Sequence, residues 1–264
     1  MSKNVTTFEV DMDIKVLSKT KAKELKGLSS KKERDLKGLF LAEGDKCVRD
    51  TLDSFKPEFL IVTRDWLAKN SFVENIYPDN LYLADKKTIA LISCLSSLPE
   101  VIAVFKKPED SEEVPELDKH KIYLLLDEIQ DPGNLGTIIR TCDWFGVYDI
   151  FASRNTVDVY SPKVVQSTMG SLSRVKVHYL DLETLISKNR DIKLVGTVLD
   201  GIPIEDYKNI REGMILMGNE GRGISEKLKR YIDIPITIPP VNKVSHPDSL
   251  NVAIASAVIL SHLR

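Results

Sequence analysis

Short apolar runs alternate with amphipathic segments along the whole chain, and this alternation is typical of an α/β protein. In the C-terminal half, residues 122–126 are apolar throughout, as in a strand buried on both faces of a parallel sheet. The predicted strands are 38–42, 59–62, 81–83, 101–105, 122–126, 149–152, 193–199 and 214–217. The predicted helices are 15–37, 45–54, 65–75, 86–95, 133–146, one that opens at Ser161-Pro162, and 249–263. We therefore predict a mostly parallel sheet with helices on both faces, preceded by a smaller α/β domain.

One stretch interrupts this alternation. Residues 107–120 are acidic, contain two prolines and carry few apolar side chains, which favours a linker between domains. The predicted organisation is an N-terminal domain over 1–107, a linker over 108–120 and a C-terminal domain over 121–264.

Composition indicates a globular protein outside the membrane. Of 264 residues, 42% are hydrophobic and 29% are charged, a balance that supports a core and argues against disorder. No apolar run approaches the roughly 20 residues of a transmembrane helix, and the first residues lack the apolar core of a signal peptide. We expect a cytoplasmic protein. The three cysteines, Cys47, Cys94 and Cys142, have no metal-binding spacing, so we expect buried thiols and no metal.

The charge is unevenly distributed. The net charge of −2 argues against a nucleic-acid-binding protein. Between Lys15 and Arg49, however, the sequence contains eleven basic and only five acidic residues. Such an excess could contact phosphates, or it could be the solvated face of a helix.

Three segments with glycine or polar residues follow predicted strands of the C-terminal domain: 127–140, 218–223 and 238–252. Ligands of open α/β sheets bind at these carboxyl ends. The second segment reads GxxGxG rather than GxGxxG, yet with Asp233 downstream it leaves a nicotinamide-dependent oxidoreductase, or a purely structural turn, as an alternative.

Together the three segments resemble the signature motifs of the SpoU (TrmH-like) family of RNA 2′-O-ribose methyltransferases. The resemblance rests on DPGNLG with Arg140-Thr141, on LMGNEGRGI and on IP followed by SLNVA, in that order. More weakly, Lys32-Glu33-Arg34 and GLFLAEG (residues 38–44) resemble the family's N-terminal substrate-binding domain. We therefore expect Lys31, Lys32 and Arg34 to contact RNA.

The resemblance implies further properties. They are a trefoil knot in the catalytic domain, a homodimer formed through that domain, and S-adenosylmethionine as cofactor. Backbone groups that would hold this cofactor lie at five positions: Thr197, Gly201, Gly218, Ile238 and Leu250.

The resemblance also implies catalytic roles. Arg140 would stabilise the 2′-oxyanion or hold the adjacent phosphate, because guanidinium is a poor base; without the motif it would be a surface arginine. Asn134 could cap its helix, act in catalysis, or both. Glu220 could be a general base or could anchor the amides of its own turn. Ser249 could cap the last helix, and Asn251 could orient ribose or cofactor.

One departure and several alternatives remain. The loop 241–248 is longer than in the family, a glycine is replaced near Asn242, and His246 is either a proton acceptor or an exposed histidine. By analogy with its N-terminal domain, ribosomal RNA is the expected substrate. The alternatives are a transfer-RNA 2′-O-methyltransferase, a base-directed methyltransferase of a related knotted family, and a non-catalytic RNA-binding protein with this fold.

Overall fold

A computed structural model describes residues 14–109, 113–207, 212–242 and 247–262, and it contains two sheets. The first sheet has the order β1-β4-β3-β5-β2. Its strands are β1 (Lys15–Val16), β2 (Leu39–Glu43), β3 (Pro57–Val62), β4 (Leu81–Leu83) and β5 (Val101–Lys106). Strand β4 pairs in parallel with β1 and β3, whereas β5 runs antiparallel to β2 and β3. This N-terminal sheet is therefore mixed.

Six helices accompany the first sheet in the part of the chain that is described. They are α1 (Lys19–Lys26), α2 (Lys31–Lys37), α3 (Asp45–Leu52), α4 (Arg64–Lys69), α5 (Phe72–Ile76) and α6 (Lys86–Ile92). The single helix predicted over 15–37 is wrong, because a short strand and a 3-10 turn at Gly27–Ser29 divide that segment. Gly38, with a φ of +62°, ends α2 in the left-handed region. The helix predicted over 65–75 is likewise divided, at Asn70.

The second sheet is wholly parallel and has the order β11-β9-β10-β6-β7-β8. Its strands are β6 (Ile122–Leu126), β7 (Asp149–Ser153), β8 (Lys176–Leu180), β9 (Leu194–Pro203), β10 (Gly213–Met217) and β11 (Ile234–Thr237). Its helices are α7 (Pro132–Phe145), α8 (Pro162–Thr168), α9 (Leu182–Lys188), α10 (Glu226–Lys229) and α11 (Val252–His262). The sequence pattern missed β8, β11, α9 and α10.

Strand β6 shows how both faces of this sheet are covered. Leu124 and Leu126 pack in one core with side chains of α7, α8 and α11. The alternate residues, Tyr123 and Leu125, pack in a second core with side chains of α9 and α10. The prediction of a mostly parallel sheet with helices on both faces, beside a smaller N-terminal α/β unit, is confirmed.

The two sheets share a core. Phe40 of β2 and Val165 of α8 belong to the same buried apolar cluster, and the rings of Phe40 and Tyr160 lie 4.8 Å apart. Within the stretch predicted as a linker, Lys188 Nζ at the end of α9 donates a hydrogen bond to the Val114 carbonyl at 2.6 Å, so Val114 lies against α9. No helix in the described ranges is long and apolar enough to span a bilayer.

Candidate active site

Loops that follow β6, β10 and β11 meet at the carboxyl edge of the parallel sheet. Strands β6 and β10 are neighbours, which places residues 127–134 beside the turn 218–223. Of the third segment, residues 238–242 follow β11 and residues 247–251 precede α11. The three segments singled out in the sequence therefore face one another, as expected for a ligand site of a parallel sheet.

A chain of hydrogen bonds joins one side chain from each segment. Asn134 Nδ2 donates to Glu220 Oε1 at 2.9 Å. Asn251 Nδ2 donates to Asn134 Oδ1 at 2.9 Å. The structure thus brings together three of the five predicted catalytic residues, although 86 residues separate Asn134 from Glu220 and 117 separate it from Asn251.

The start of α7 sets the position of Asn134. Asp131 Oδ1 accepts the backbone N–H of Asn134 at 2.9 Å, and Pro132 occupies the first helical turn. Asp131 is therefore the cap, and the idea that Asn134 caps its own helix is wrong. The Asn134 amide is left for contacts between segments.

The glycine-rich turn is organised by Asn219, which the sequence interpretation missed. Asn219 Oδ1 accepts the N–H groups of Gly221 and Arg222, each at 3.0 Å. Asn219 Nδ2 donates to the Glu128 carbonyl at 2.8 Å and so ties the turn to the first segment. The anchoring role considered for Glu220 belongs to Asn219; asparagine's tendency to bond to amides two residues on could have indicated it.

Two further groups hold these loops. The buried Asp127 accepts the backbone N–H of Ser225 through Oδ2 at 2.8 Å. Glu128, with a φ of +59°, forms an ion pair with Arg222. A left-handed backbone at a residue other than glycine is uncommon and is sustained by surrounding bonds, here those of Asn219 and Arg222.

Gly218 is required sterically. A Cβ at this position would lie 2.3 Å from the Gly223 carbonyl carbon and from the Ile224 nitrogen. Any side chain would open the turn that presents Glu220.

Asn251 has a second function at the start of α11. Its Oδ1 accepts the N–H groups of Ala253 at 2.9 Å and Ile254 at 3.3 Å. The proposed capping role of Ser249 is therefore wrong. Ser249 lies two residues earlier, and its side chain is exposed.

Arg140 lies apart from this hydrogen-bonded chain. Arg140 follows Asn134 by six residues on α7, which corresponds to a rise of about 9 Å and a rotation of about 240° around the helix axis. The side chain is exposed, and within the described residues it makes no hydrogen bond or ion pair. It is a free cation on the surface of α7, next to the exposed Trp144 one turn on.

The residues predicted to hold the cofactor lie on β9 (Thr197 and Gly201), directly after β10 and β11 (Gly218 and Ile238) and just before α11 (Leu250). Thr197 Oγ1 donates to the Leu216 carbonyl at 3.1 Å. A Cβ at Gly201 would lie 2.5 Å from the Ile236 carbonyl carbon, so only glycine allows this approach of strands. Ile238 is half-buried and Leu250 is 50% exposed.

This rim fits a cofactor with apolar and polar parts. Three large apolar side chains, Leu199, Val241 and Leu250, are exposed here. They could cover the apolar surface of a ligand whose polar groups meet the glycine-rich backbone. His246 and the rest of 243–246 lie outside the described residues. In the described ranges no group of three or more His, Cys, Asp or Glu residues could hold a metal.

The thiols are not candidates for nucleophiles. Burial raises the pKa of Cys142, on α7, and raises that of Cys47 to about 11, so both remain protonated near neutral pH. Cys94 is exposed, contrary to the expectation that all three thiols are buried.

The predicted RNA-contacting residues divide into two kinds. Lys31 and Lys32 are exposed on α2, and Lys31 pairs with Asp35 at 2.7 Å. Arg34 is buried, and its Nη2 donates to Asp158 Oδ2 of the second sheet's domain at 2.6 Å. The prediction that Arg34 contacts RNA is wrong in this conformation, because its donors are engaged within the protein.

Comparisons with known proteins show the family of this chain. The model of the SpoU rRNA Methylase family matches residues 121–261, and that of the MRM3-like substrate binding domain matches residues 19–103. The 23S rRNA (guanosine(2553)-2'-O)-methyltransferase RlmP of Bacillus subtilis is 30% identical over 253 residues, which are 92% of this chain and 96% of that protein.

Two solved structures are similar over almost their whole length. A putative RNA methyltransferase of the TrmH family from Porphyromonas gingivalis has a TM-score of 0.80 and 35% identity, covering 94% of this chain and 98% of that one. The AdoMet-bound rRNA methyltransferase from Sinorhizobium meliloti has a TM-score of 0.82 and 29% identity, covering 95% and 96%. The chain belongs to the SpoU rRNA methylase family.

Proposed function

We propose that the chain is an S-adenosylmethionine-dependent RNA methyltransferase that modifies a ribose 2′-oxygen of ribosomal RNA at the carboxyl edge of its parallel sheet. The observation that carries this proposal is the pair of hydrogen bonds that link Asn251, Asn134 and Glu220 and thereby join the three motifs of the family. The name of the Bacillus subtilis relative, which matches nearly end to end, supports ribosomal RNA and the 2′-oxygen.

Methyl transfer requires alignment of the ribose oxygen and removal of its proton. When bound, S-adenosylmethionine supplies the methyl group on a sulfonium that is already a good leaving group. The protein must position the hydroxyl and stabilise the negative charge that develops on its oxygen.

Arg140 supplies that stabilisation. Guanidinium stays protonated and donates up to five hydrogen bonds, so it acts as an electrostatic partner of the 2′-oxyanion or the adjacent phosphate and not as a base. Its lack of a partner in the described residues leaves the whole charge available to substrate.

The hydrogen-bonded side chains of Asn251, Asn134 and Glu220 orient the ribose. Asn251 and Glu220 fix the Asn134 amide from both sides, and one Asn134 N–H remains for the substrate. The second carboxylate oxygen of Glu220 is able to accept a proton. The exposed Ser249 hydroxyl is available to the cofactor or the ribose.

The cofactor lies in the rim formed by β9, β10 and β11. Backbone groups around Thr197, Gly201, Gly218, Ile238 and Leu250 hold it. A trefoil knot in this region remains a prediction from the resemblance.

The functional unit is a homodimer formed through the catalytic domain. Ile254 and Val258, four residues apart on α11, are exposed and lie on one face of the helix. Trp144 of the adjacent α7 is 79% exposed. A second copy that covers this surface would also lie beside Arg140. Light scattering of Ile254→Glu would test this, with a monomer expected.

RNA binding and catalysis belong to different domains. Residues 1–107 bind RNA through Lys31 and Lys32 on α2, 108–120 link the domains, and 121–264 carry out catalysis in the cytoplasm. Exposed cations that approach phosphates steer the substrate without reading its sequence.

The test is transfer of labelled methyl from S-adenosylmethionine to unmodified 23S ribosomal RNA, with transfer RNA as a parallel substrate. Nuclease digestion and mass spectrometry then identify the modified nucleoside. We expect one 2′-O-methylnucleoside in ribosomal RNA. Label in transfer RNA alone, or on a base, would replace the proposed substrate, and cofactor binding without any transfer would favour a non-catalytic protein.

A further inference from the structure

A buried ion pair joins the N-terminal domain to the catalytic domain. Arg34 Nε and Nη2 both donate to Asp158 Oδ2, at 2.9 and 2.6 Å. Arg34 Nη1 donates to the carbonyls of Leu28 and Ser29, each at 2.9 Å. The side chains are only 3% and 9% exposed. Arg34 therefore fastens α2, and the 3-10 turn before it, to a loop of the other domain.

The same two domains make further close contacts between the end of α3 and residues 170–173. Ser54 Oγ donates to the Ser173 carbonyl at 2.8 Å. A Cβ at Gly170, where φ is +89°, would lie 2.2 Å from the Asp50 Cβ. The interface therefore has no room for the domains to slide over each other without breaking contacts.

The loop that carries Asp158 is bonded to the first active-site segment. Val157 N–H donates to the Ile129 carbonyl at 2.8 Å. Tyr179 Oη donates to the Val157 carbonyl at 2.6 Å and accepts the Val159 N–H at 2.8 Å. Ile129 lies two residues before Asp131, the cap of α7. A continuous set of bonds thus runs from Arg34 to the segment that positions Asn134.

We propose that Arg34 and Asp158 form an interdomain positioning pair that holds the RNA-facing helix α2 in a fixed orientation relative to the Asn134 segment. The part of this inference that concerns RNA rests on the proposed function. Lys31 and Lys32 lie on the same short helix as Arg34, so the pair sets where these cations stand relative to the reacting ribose. Arginine is required because it bonds the carboxylate and two carbonyls at once, which a lysine ammonium cannot do with this geometry.

Replacing both partners avoids the unpaired buried charge that either single change would leave. It still removes a partner from the Leu28 and Ser29 carbonyls and from the Tyr160 N–H, which donates to Asp158 Oδ1 at 3.0 Å, so urea unfolding reports the change in stability separately from orientation. Removing one partner leaves a buried charge unpaired and destabilises the fold, whereas replacing both by apolar side chains of similar volume is often neutral. The variant that tests orientation is therefore the double change Arg34→Met with Asp158→Leu. The control is Arg230→Met with Glu183→Leu, a more exposed arginine–carboxylate pair that lies within the catalytic domain.

Besides the stability in urea, three quantities are measured on the full chain: steady-state constants with an unmodified 23S ribosomal RNA transcript, affinity for S-adenosylmethionine by calorimetry, and amide hydrogen exchange over 129–134. For the double variant we expect unchanged cofactor affinity, a KM for RNA raised about tenfold or more with kcat largely retained, and faster exchange. The control should match wild type in all three. Wild-type KM and exchange in the double variant would overturn the proposal.

Two safeguards keep the outcome decisive. If the double variant does not fold, Arg34→Lys is measured instead, and a wild-type KM and exchange rate in that variant would equally overturn the proposal. If the wild-type chain methylates no RNA, the proposed function fails, while hydrogen exchange without ligands still decides whether the pair orders residues 129–134.

Discussion

Two glutamates at the ends of strands show how the two sheets differ. Glu43, at the end of β2 in the mixed sheet, is buried and accepts bonds from Ser93 Oγ at 2.6 Å and from the Cys94 N–H at 3.0 Å. All these partners belong to its own domain. Glu220, after β10 in the parallel sheet, is half-buried and accepts one bond from Asn134 of another segment.

The difference follows from strand direction. All strand ends of the same kind lie at one edge of a parallel sheet, so loops distant in sequence meet there and leave polar groups for a ligand. In the mixed sheet the strand ends are divided between two edges, and its polar groups stabilise local turns. The N-terminal domain contributes exposed cations on a helix instead.

A large effect on catalysis is expected at one of the two glutamates and an effect on stability at the other. Glu220→Gln should lower kcat for methyl transfer about 10²-fold or more, as loss of a proton acceptor does, and leave the melting temperature near wild type. Glu43→Gln should leave kcat unchanged and cost about 1–3 kcal/mol in the free energy of unfolding, because buried partners lose an acceptor. Urea unfolding and steady-state kinetics measure both. Equal effects of the two changes on activity would remove the contrast between the sheets.

The next largest effect is expected on cofactor affinity, when Gly218 in the turn after β10 is replaced. Gly218→Ala should weaken S-adenosylmethionine binding about 5- to 150-fold, because overpacking of about 1–3 kcal/mol opens the turn. Calorimetric titration measures it. Gly38→Ala is the control, since no atom lies within 4 Å of its Cβ position and only its φ of +62° is strained. It should cost about 1 kcal/mol of stability without changing cofactor affinity. Cofactor binding of wild-type strength in Gly218→Ala would contradict the placement of the cofactor.

A smaller effect concerns the cations of the N-terminal domain. Lys32→Ala should raise the KM for RNA a few-fold and reduce the slope of log affinity against log salt by about 1, because one phosphate contact is lost. Fluorescence anisotropy over a salt series measures this. Lys106→Ala removes an exposed lysine that pairs with Glu58 at 3.2 Å and should leave the slope unchanged. Identical slopes for wild type and Lys32→Ala would remove α2 from the RNA surface.

The buried strands were predictable from the sequence because both their faces are apolar. The bounds of β4 and β6 agree with the prediction to the residue. Strand β8 was missed because it lies at the edge of the sheet and carries Lys176, His178 and Tyr179 in a pattern without an apolar run. Helix 15–37 was misjudged because its charge pattern does not reveal the turn at Gly27–Ser29.

The members of the site were predictable, but most of their partners were not. The motifs gave Asn134, Glu220 and Asn251, whose bonds span more than half the catalytic domain. The family resemblance of the segment around Arg34 led to the prediction of an RNA contact. The actual partner of Arg34, Asp158, is 124 residues away, and nothing near Arg34 in the sequence indicates it. Such pairings depend on the topology of the sheet and on contacts between domains, and neither is present in local sequence.

Arg140→Ala tests most directly whether the exposed arginine of α7 takes part in methyl transfer. The side chain is exposed and unpaired within the described residues, so the change should leave stability within about 0.5 kcal/mol and cofactor affinity unchanged. Single-turnover transfer from labelled S-adenosylmethionine to unmodified 23S ribosomal RNA should fall about 10²- to 10³-fold, the usual cost of losing an oxyanion-stabilising donor. Transfer at the wild-type rate would show that Arg140 takes no part in the chemistry and would contradict the account of the site.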